Sequence, residues 1–139
     1  MARIIVAEDD EIVAEVIRDA LIAAGHGVGV LPNGSEALNV IRRRLPDLVI
    51  LDCNMPELSG LLVLRQMRGD LRLVDIPVLI LTGRRSEKDV ALAMYEGADD
   101  YMKKPFDSDE LTFRVEELLR AKGDREAARG RPAVAARRR

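Results

Sequence analysis

The sequence predicts an α/β fold, a doubly wound five-stranded parallel sheet flanked by five helices, and three observations predict it. Short runs of continuous aliphatic residues, such as Leu48-Val49-Ile50-Leu51 and Val78-Leu79-Ile80-Leu81, read as strands covered on both faces. Between them lie stretches whose apolar residues recur three and four apart, which is helical spacing. The two kinds alternate along almost the whole body, the order that a parallel sheet with crossover helices demands.

The elements follow in turn. Ile4-Ile5-Val6-Ala7 is the first strand and stops at acidic residues. Glu11 to Ala24 predicts a helix with Ile12, Val16, Ala20 and Ala23 inward, ended by Gly25 and Gly27. Val28 to Leu31 is the second strand, Pro32-Asn33-Gly34 a turn, and Ser35 to Arg44 a helix burying Ala37, Leu38 and Ile41. Pro46 closes it before the third strand at Leu48. Gly60 to Arg68 is the next helix, and Pro77 opens the fourth strand at Val78. Ser86 to Glu96 follows, with Ser86 and Asp89 offering a cap and Gly97 a stop. Asp100-Tyr101-Met102 is the fifth strand, and Asp107 to Arg120 the last helix, capped by Asp107 or Ser108.

Composition narrows the function. The chain has 139 residues, room for one ordinary domain, and is 47% hydrophobic. Aromatics make up only 3%, so aliphatic side chains must fill the core, and nucleic-acid binding by base stacking is disfavoured. One cysteine, Cys53, excludes a disulfide framework and a cysteine zinc site, and one histidine, His26, excludes a multi-histidine metal centre. Cys53 reads as a small buried apolar residue and His26 as plain surface. No apolar run approaches a membrane span, and the N-terminus turns acidic too soon for a secretory signal; a cytoplasmic location is expected. Charge is split along the chain. Residues 1–119 hold 14 basic and 22 acidic side chains, a net of −8, whereas 120–139 hold 8 and 2, a net of +6. Two domains of unequal kind are therefore expected: 1–121 as the folded body and 122–139 as a basic, disordered tail. The tail's sharper reading is a weak electrostatic contact with nucleic acid or an acidic partner; direct DNA binding by the body is not expected.

In a doubly wound sheet the ligand crevice lies at the C-terminal ends of the strands. After strand 1 stand Glu8, Asp9 and Asp10; strand 3 ends in Asp52, followed by Cys53, Asn54, Met55 and Pro56. Thr82 and Gly83 follow strand 4, and Lys103, Lys104 and Pro105 follow strand 5. Converging carboxylates repel unless a cation sits among them. Oxygen ligands without histidine or thiolate favour Mg²⁺, which prefers phosphate as a co-ligand. A carboxylate such as Asp52 can attack a phosphoryl group to form an aspartyl phosphate.

At VAEDD, LDCNMPELSG, LTGR and GADDYMKKPF the chain resembles the receiver domain of bacterial two-component response regulators. Spacing agrees: from Asp52, Thr82 lies 30 residues on, Tyr101 49 on and Lys104 52 on. The resemblance covers about residues 3 to 120. It implies a flavodoxin-like sheet of order 2-1-3-4-5 and a stand-alone receiver, or the receiver portion of something longer. It makes Asp52 the phosphoacceptor, Thr82 the switch hydroxyl, Tyr101 the switch aromatic and Lys104 the phosphate-binding lysine. Mg²⁺ would be held by Asp9 and Asp52 directly, by Glu8 through water and by the backbone carbonyl of Asn54. Gly83 replaces the alanine usual after the switch hydroxyl, and the Lys104-Pro105 bond would be cis. Lys103 is left as a solvated lysine. Asn54 and Arg84 would tune autodephosphorylation.

The resemblance further implies a phosphorelay in which a histidine kinase or histidine phosphotransfer protein donates the phosphoryl group. The resulting switch would act on an unknown protein target through helix 4, strand 5 and helix 5, without being an enzyme in the ordinary sense. A homodimer through that face is a further expectation, because Asp99, Asp100, Glu110 and Arg114 stand where one subfamily keeps interface charges. Val90 replaces a basic residue there. Two rivals remain at this stage. A haloacid-dehalogenase-type phosphohydrolase would need a second acid where Asn54 stands, and a binding-only receiver would not keep the full set of reactive residues.

Overall fold

The computed structural model describes residues 1–137 other than Pro56 and residues 84–86, and describes no side chains for Glu87, Asp89 or residues 130–137. The strands are β1 (Arg3–Ala7), β2 (Gly27–Leu31), β3 (Leu48–Asp52), β4 (Val78–Thr82) and β5 (Asp100–Lys103). Between and after them run α1 (Glu11–Ala23), α2 (Gly34–Arg44), α3 (Gly60–Arg68), α4 (Glu87–Tyr95) and α5 (Ser108–Arg137). All neighbouring strands pair parallel in the order β2-β1-β3-β4-β5, as the sequence predicts. The Ser86 cap lies outside the described residues; the cap of α5 is Asp107, whose Oδ1 accepts from the N–H groups of Asp109 and Glu110.

The period of two along each strand divides the core into two layers. Ile5, Val49, Leu51 and Ile80 point towards α2, α3 and α4, where Ile41, Leu64, Met67 and Ala93 meet them. Ile4, Val6, Ile50 and Leu79 point towards α1 and α5, against Ile17, Leu21, Leu111 and Val115. Every residue of β3 and β4 is buried. Aliphatic residues fill both layers, as the scarcity of aromatics requires.

Three local expectations are corrected. The buried stripe of α1 is Ala14, Ile17 and Leu21, not Ile12 and Val16, which are 76% and 42% exposed. Apolar residues cover more than one face of this helix, so spacing alone does not choose between stripes. His26 is not plain surface: its side chain is 6% exposed, Nδ1 accepts from the Ala2 N–H, and Nε2 lies 2.6 Å from Glu116 Oε1. Finally, where a disordered tail is expected, α5 runs on to Arg137. Ala, Arg, Glu and Lys are strong helix formers. Pairs such as Arg120–Asp124 and Lys122–Glu126 stand four apart on it, and Arg129 reaches Asp75 at 3.3 Å. The extension has no apolar stripe to announce a helix, and Pro132 withholds one backbone donor within it.

Two contacts fix the segment after β3. A Cβ on Gly60 would collide with the Asp52 carbonyl, and one on Gly34 with the Leu58 carbonyl. Only glycine lets α2 and α3 begin this close to the chain leaving β3. At the other pole, Arg68 ties three segments together, donating to the carbonyls of Gly97, Val74 and Ile76 and to the Asp99 carboxylate. The Gly60 contact predicts that Gly60→Ala lowers stability by about 1–3 kcal/mol. Gly123→Ala, with nothing within 4 Å and inside α5, should instead raise it by up to about 1 kcal/mol; urea denaturation of the two variants checks both.

Candidate functional site

Parallel strands with helical crossovers place all strand C-termini on one edge, so residues distant in sequence meet there. Glu8 follows β1, Asp52 ends β3, Thr82 ends β4 beside it, and Lys104 follows β5. One carboxylate oxygen from each of Glu8, Asp9 and Asp52 lies within 4.8 Å of the others. Lys104 Nζ is 2.7 Å from Glu8 Oε1 and 3.2 Å from Asp52 Oδ2. The Asn54 N–H donates to Asp52 Oδ1 at 3.3 Å, and the Asp10 N–H to Glu8 Oε2 at 3.2 Å. Asp10 itself caps α1, its carboxylate accepting from the N–H groups of Ile12 and Val13. The acidic run after β1 is thereby divided: Glu8 and Asp9 face the pocket, and Asp10 starts a helix.

Burial sets the electrostatics. Glu8 and Asp52 are 2% and 5% exposed, whereas Asp9 and Asn54 are exposed. Burial pushes the Glu8 carboxyl up to about 7; neighbouring Asp52 adds to the rise, while the Lys104 ammonium and the Asp10 N–H oppose it. Burial alone would lower the Lys104 pKa, but its contacts with Glu8 and Asp52 outweigh that and raise it. One ammonium thus serves a pocket with three carboxylates. Thr82 Oγ1 is fully buried and has no hydrogen-bond partner among the described residues, a state that costs about 1–3 kcal/mol. Hard oxygen donors in excess of the available positive charge fit a divalent cation such as Mg²⁺, and the unpartnered hydroxyl fits an arriving acceptor oxygen.

The other residues singled out by sequence fall as follows. Tyr101 is half-buried and packs against the α2–α3–α4 core layer, so its ring is already partly inward. Lys103 is exposed, Cys53 is buried, and Lys104-Pro105 is cis. Arg84 lies outside the described residues. The charges expected to bridge a dimer are engaged within the chain: Asp99 with Arg68 at 2.9 Å, and Arg114 with Asp100 at 3.0 Å and Glu110 at 3.1 Å. Sequence reasoning did not find the cleft of about 320 Å³ beside Lys104, lined by Ile12, Val13, Val16, Pro105 and Phe106 among others. Its signal was the second apolar stripe of α1.

The chain matches the family described as response regulator receiver domain over residues 4–116. It is 44% identical over 120 residues to response regulator MprA of Mycobacterium sp. (strain KMS), covering 85% of this chain and 50% of the relative. With response regulator MprA of Mycobacterium tuberculosis (strain ATCC 25177 / H37Ra) it shares 42% over 126 residues, 91% of this chain and 54% of the other. The chain therefore spans about half the length of these curated relatives. Among solved structures, the Francisella response regulator 1452 receiver domain superposes with a TM-score of 0.80 at 32% identity, covering 87% of this chain and 98% of that one. The signal receiver domain of a signal transduction histidine kinase from Syntrophus aciditrophicus gives 0.81 at 33%, covering 87% and 92%. No helix among the described residues is long and apolar enough to cross a membrane.

The Glu8 shift predicts a pH dependence of stability. A carboxyl raised from 4.5 to about 7 on folding favours the fold while protonated. That contribution is complete below about 4.5 and lost as pH rises through about 7. In metal-free protein, Glu8→Gln should flatten the fall in thermal midpoint between pH 5 and 8, an effect of at most about 3 kcal/mol. Mg²⁺ should stabilise the unsubstituted chain more at pH 8 than at pH 5.

Proposed function

The chain belongs to the response regulator receiver domain family of two-component signalling, and on that premise we propose that Asp52 is its phosphoacceptor. The observation that carries this is the buried Thr82 hydroxyl, without a partner among the described residues, beside an aspartate already held by Lys104. A histidine kinase or histidine phosphotransfer protein presents a phosphohistidine. A carboxylate oxygen of Asp52 attacks phosphorus, the P–N bond breaks with its electron pair returning to the imidazole, and an acyl phosphate remains. The residues that would hold Mg²⁺ are Asp9, Asp52, Glu8 and the backbone carbonyl of Asn54; the ion would offset charge on the phosphoryl oxygens. Lys104 shifts its hydrogen bonding from the Asp52 carboxylate to a phosphoryl oxygen, and Thr82 donates to another. In autodephosphorylation, water attacks phosphorus, the O–P bond breaks and the Asp52 carboxylate is restored. The domain turns over only its own aspartyl phosphate, which makes it a signalling switch.

The donor protein docks over the apolar cleft beside Lys104. Exposed Ile12 and Val16 adjoin it, and a donor seated there is within reach of Asp52. Movement of Thr82 towards the phosphoryl group frees space for the Tyr101 ring to turn further inward, which biases the face formed by α4, β5 and α5 between two states. Tyr95 and Phe113, 83% and 65% exposed, give that face an aromatic surface for a downstream protein or a second copy. Asp99, Asp100, Glu110 and Arg114 are already paired within the chain, so a homodimer would form by apolar contact rather than through those charges. In this reading residues 1–121 hold all of the phosphoacceptor machinery, 122–139 form a basic extension, and the chain works in the cytoplasm.

With a small phosphodonor such as phosphoramidate and Mg²⁺, the chain should take up one phosphoryl group, and Asp52→Asn or a chelator should abolish the uptake. Uptake by Asp52→Asn under the same conditions would overturn the assignment. Lys104→Ala should slow the uptake by about a hundredfold, the usual loss for one donor at a developing charge.

A further inference from the structure

We propose that the outer edge of β2 is a docking site for an acidic, extended segment of a partner protein, which adds to the sheet as a sixth strand. β2 is terminal in the sheet. All five of its residues are partly exposed, whereas β3 and β4 are wholly buried. The Gly27 N–H donates to the Ala2 carbonyl at 2.9 Å, and the Leu31 carbonyl accepts from the Glu8 N–H at 3.0 Å. Positions 27, 29 and 31 therefore bond inward to β1, and alternation turns the N–H and C=O of Val28 and Val30 outward. Proteins commonly blunt such an edge with lysine, proline or a bulge. Gly27-Val28-Gly29-Val30-Leu31 carries no charge and no proline, and it keeps an unbroken register with β1.

Charge identifies the occupant. Beside β2 lies a cleft of about 350 Å³, floored by Gly27 and by Gly29 with the Ile5 side chain over it, and bordered by Arg3 and Arg44. Arg44 closes the run Arg42-Arg43-Arg44; Arg42 turns to Gln66 and the Asp70 charge, while among the described residues Arg43 and Arg44 are in no ion pair. Among the described residues the Arg3 guanidinium bonds only the Leu45 carbonyl, at 3.0 Å. An added strand thus gains main-chain hydrogen bonds from Val28 and Val30, room for a side chain over Gly27, and guanidiniums for its carboxylates. A second copy of this chain fits less well. Its own β2 brings no acidic residue, and edge-to-edge pairing would set arginines against arginines.

The test uses the full chain and a heptapeptide of alternating valine and glutamate, followed by fluorescence anisotropy and amide exchange. Binding should protect the Val28 and Val30 amides and weaken as salt rises. Val30→Pro removes one outward donor without touching the ladder to β1, and should weaken binding roughly five- to tenfold. Arg44→Glu should weaken it by a similar factor, with a smaller salt dependence. If Val30→Pro fails to fold, Val28→Pro and the amide protection of the unsubstituted chain carry the test. Absence of binding, or binding without protection of Val28 and Val30, would overturn the proposal. So would a dimer in sedimentation that Val30→Pro abolishes, because the occupant would then be a second copy.

Discussion

The position of one ammonium group organises this molecule. Lys104 Nζ stands between Glu8 and Asp52 and, among the described residues, is the only cation against the carboxylates that gather at the edge of the sheet. Remove it from consideration and the pocket is three acids crowded at the end of a buried sheet, an arrangement that burial and mutual repulsion both oppose. With it, the pocket is tolerable but undercompensated. The carboxyl of Glu8 carries the residual cost, visible in its displacement to about 7. A site in that condition favours whatever brings positive charge, and a bound cation in turn favours whatever brings phosphoryl oxygens. Affinity for metal and for phosphoryl are two consequences of one imbalance.

The rest of the fold holds that imbalance in place. Four strand ends supply the pocket; three of the strands, β1, β3 and β4, have buried, aliphatic bodies, and β5, only partly buried, is paired to β4. Gly34 and Gly60 let two helices begin against the segment that leaves Asp52, which fixes where the Asn54 N–H meets the carboxylate. At the opposite pole, Arg68 binds the end of α3 to the segments that precede β4 and β5. The reactive edge is thus held from below by the core and from the far side by a half-buried guanidinium. The Thr82 hydroxyl is buried with its hydrogen bond unmade among the described residues, and a buried polar group in that state is a place where a ligand can supply what the protein does not.

Much of this was legible in the residues. Continuous aliphatic runs identified β3 and β4, and the acids, hydroxyl and lysine that follow the strands identified the pocket. Other features depend on tertiary context. The two apolar stripes of α1 have the same spacing, and only packing against Leu48 and Val115 decides that Ile17 and Leu21 turn inward. His26 looks solvated between two glycines because Glu116 is 90 residues away in sequence. The pairing of Arg114 with Asp100 and Glu110 is likewise invisible until α5 lies beside β5. The helical extension past Arg120 lacks any apolar period, so propensity and charge pairs had to carry what pattern could not.

The central claim is that Thr82 and Lys104 are held ready for an anion bonded to Asp52. A structure of the chain with Mg²⁺ and beryllofluoride, a phosphoryl mimic, tests it most directly. The account predicts an adduct on the Asp52 carboxylate, with one fluoride accepting from the Thr82 hydroxyl and another from Lys104 Nζ. An adduct elsewhere, or one on Asp52 that leaves Thr82 unpartnered and Lys104 on the two carboxylates, would contradict it.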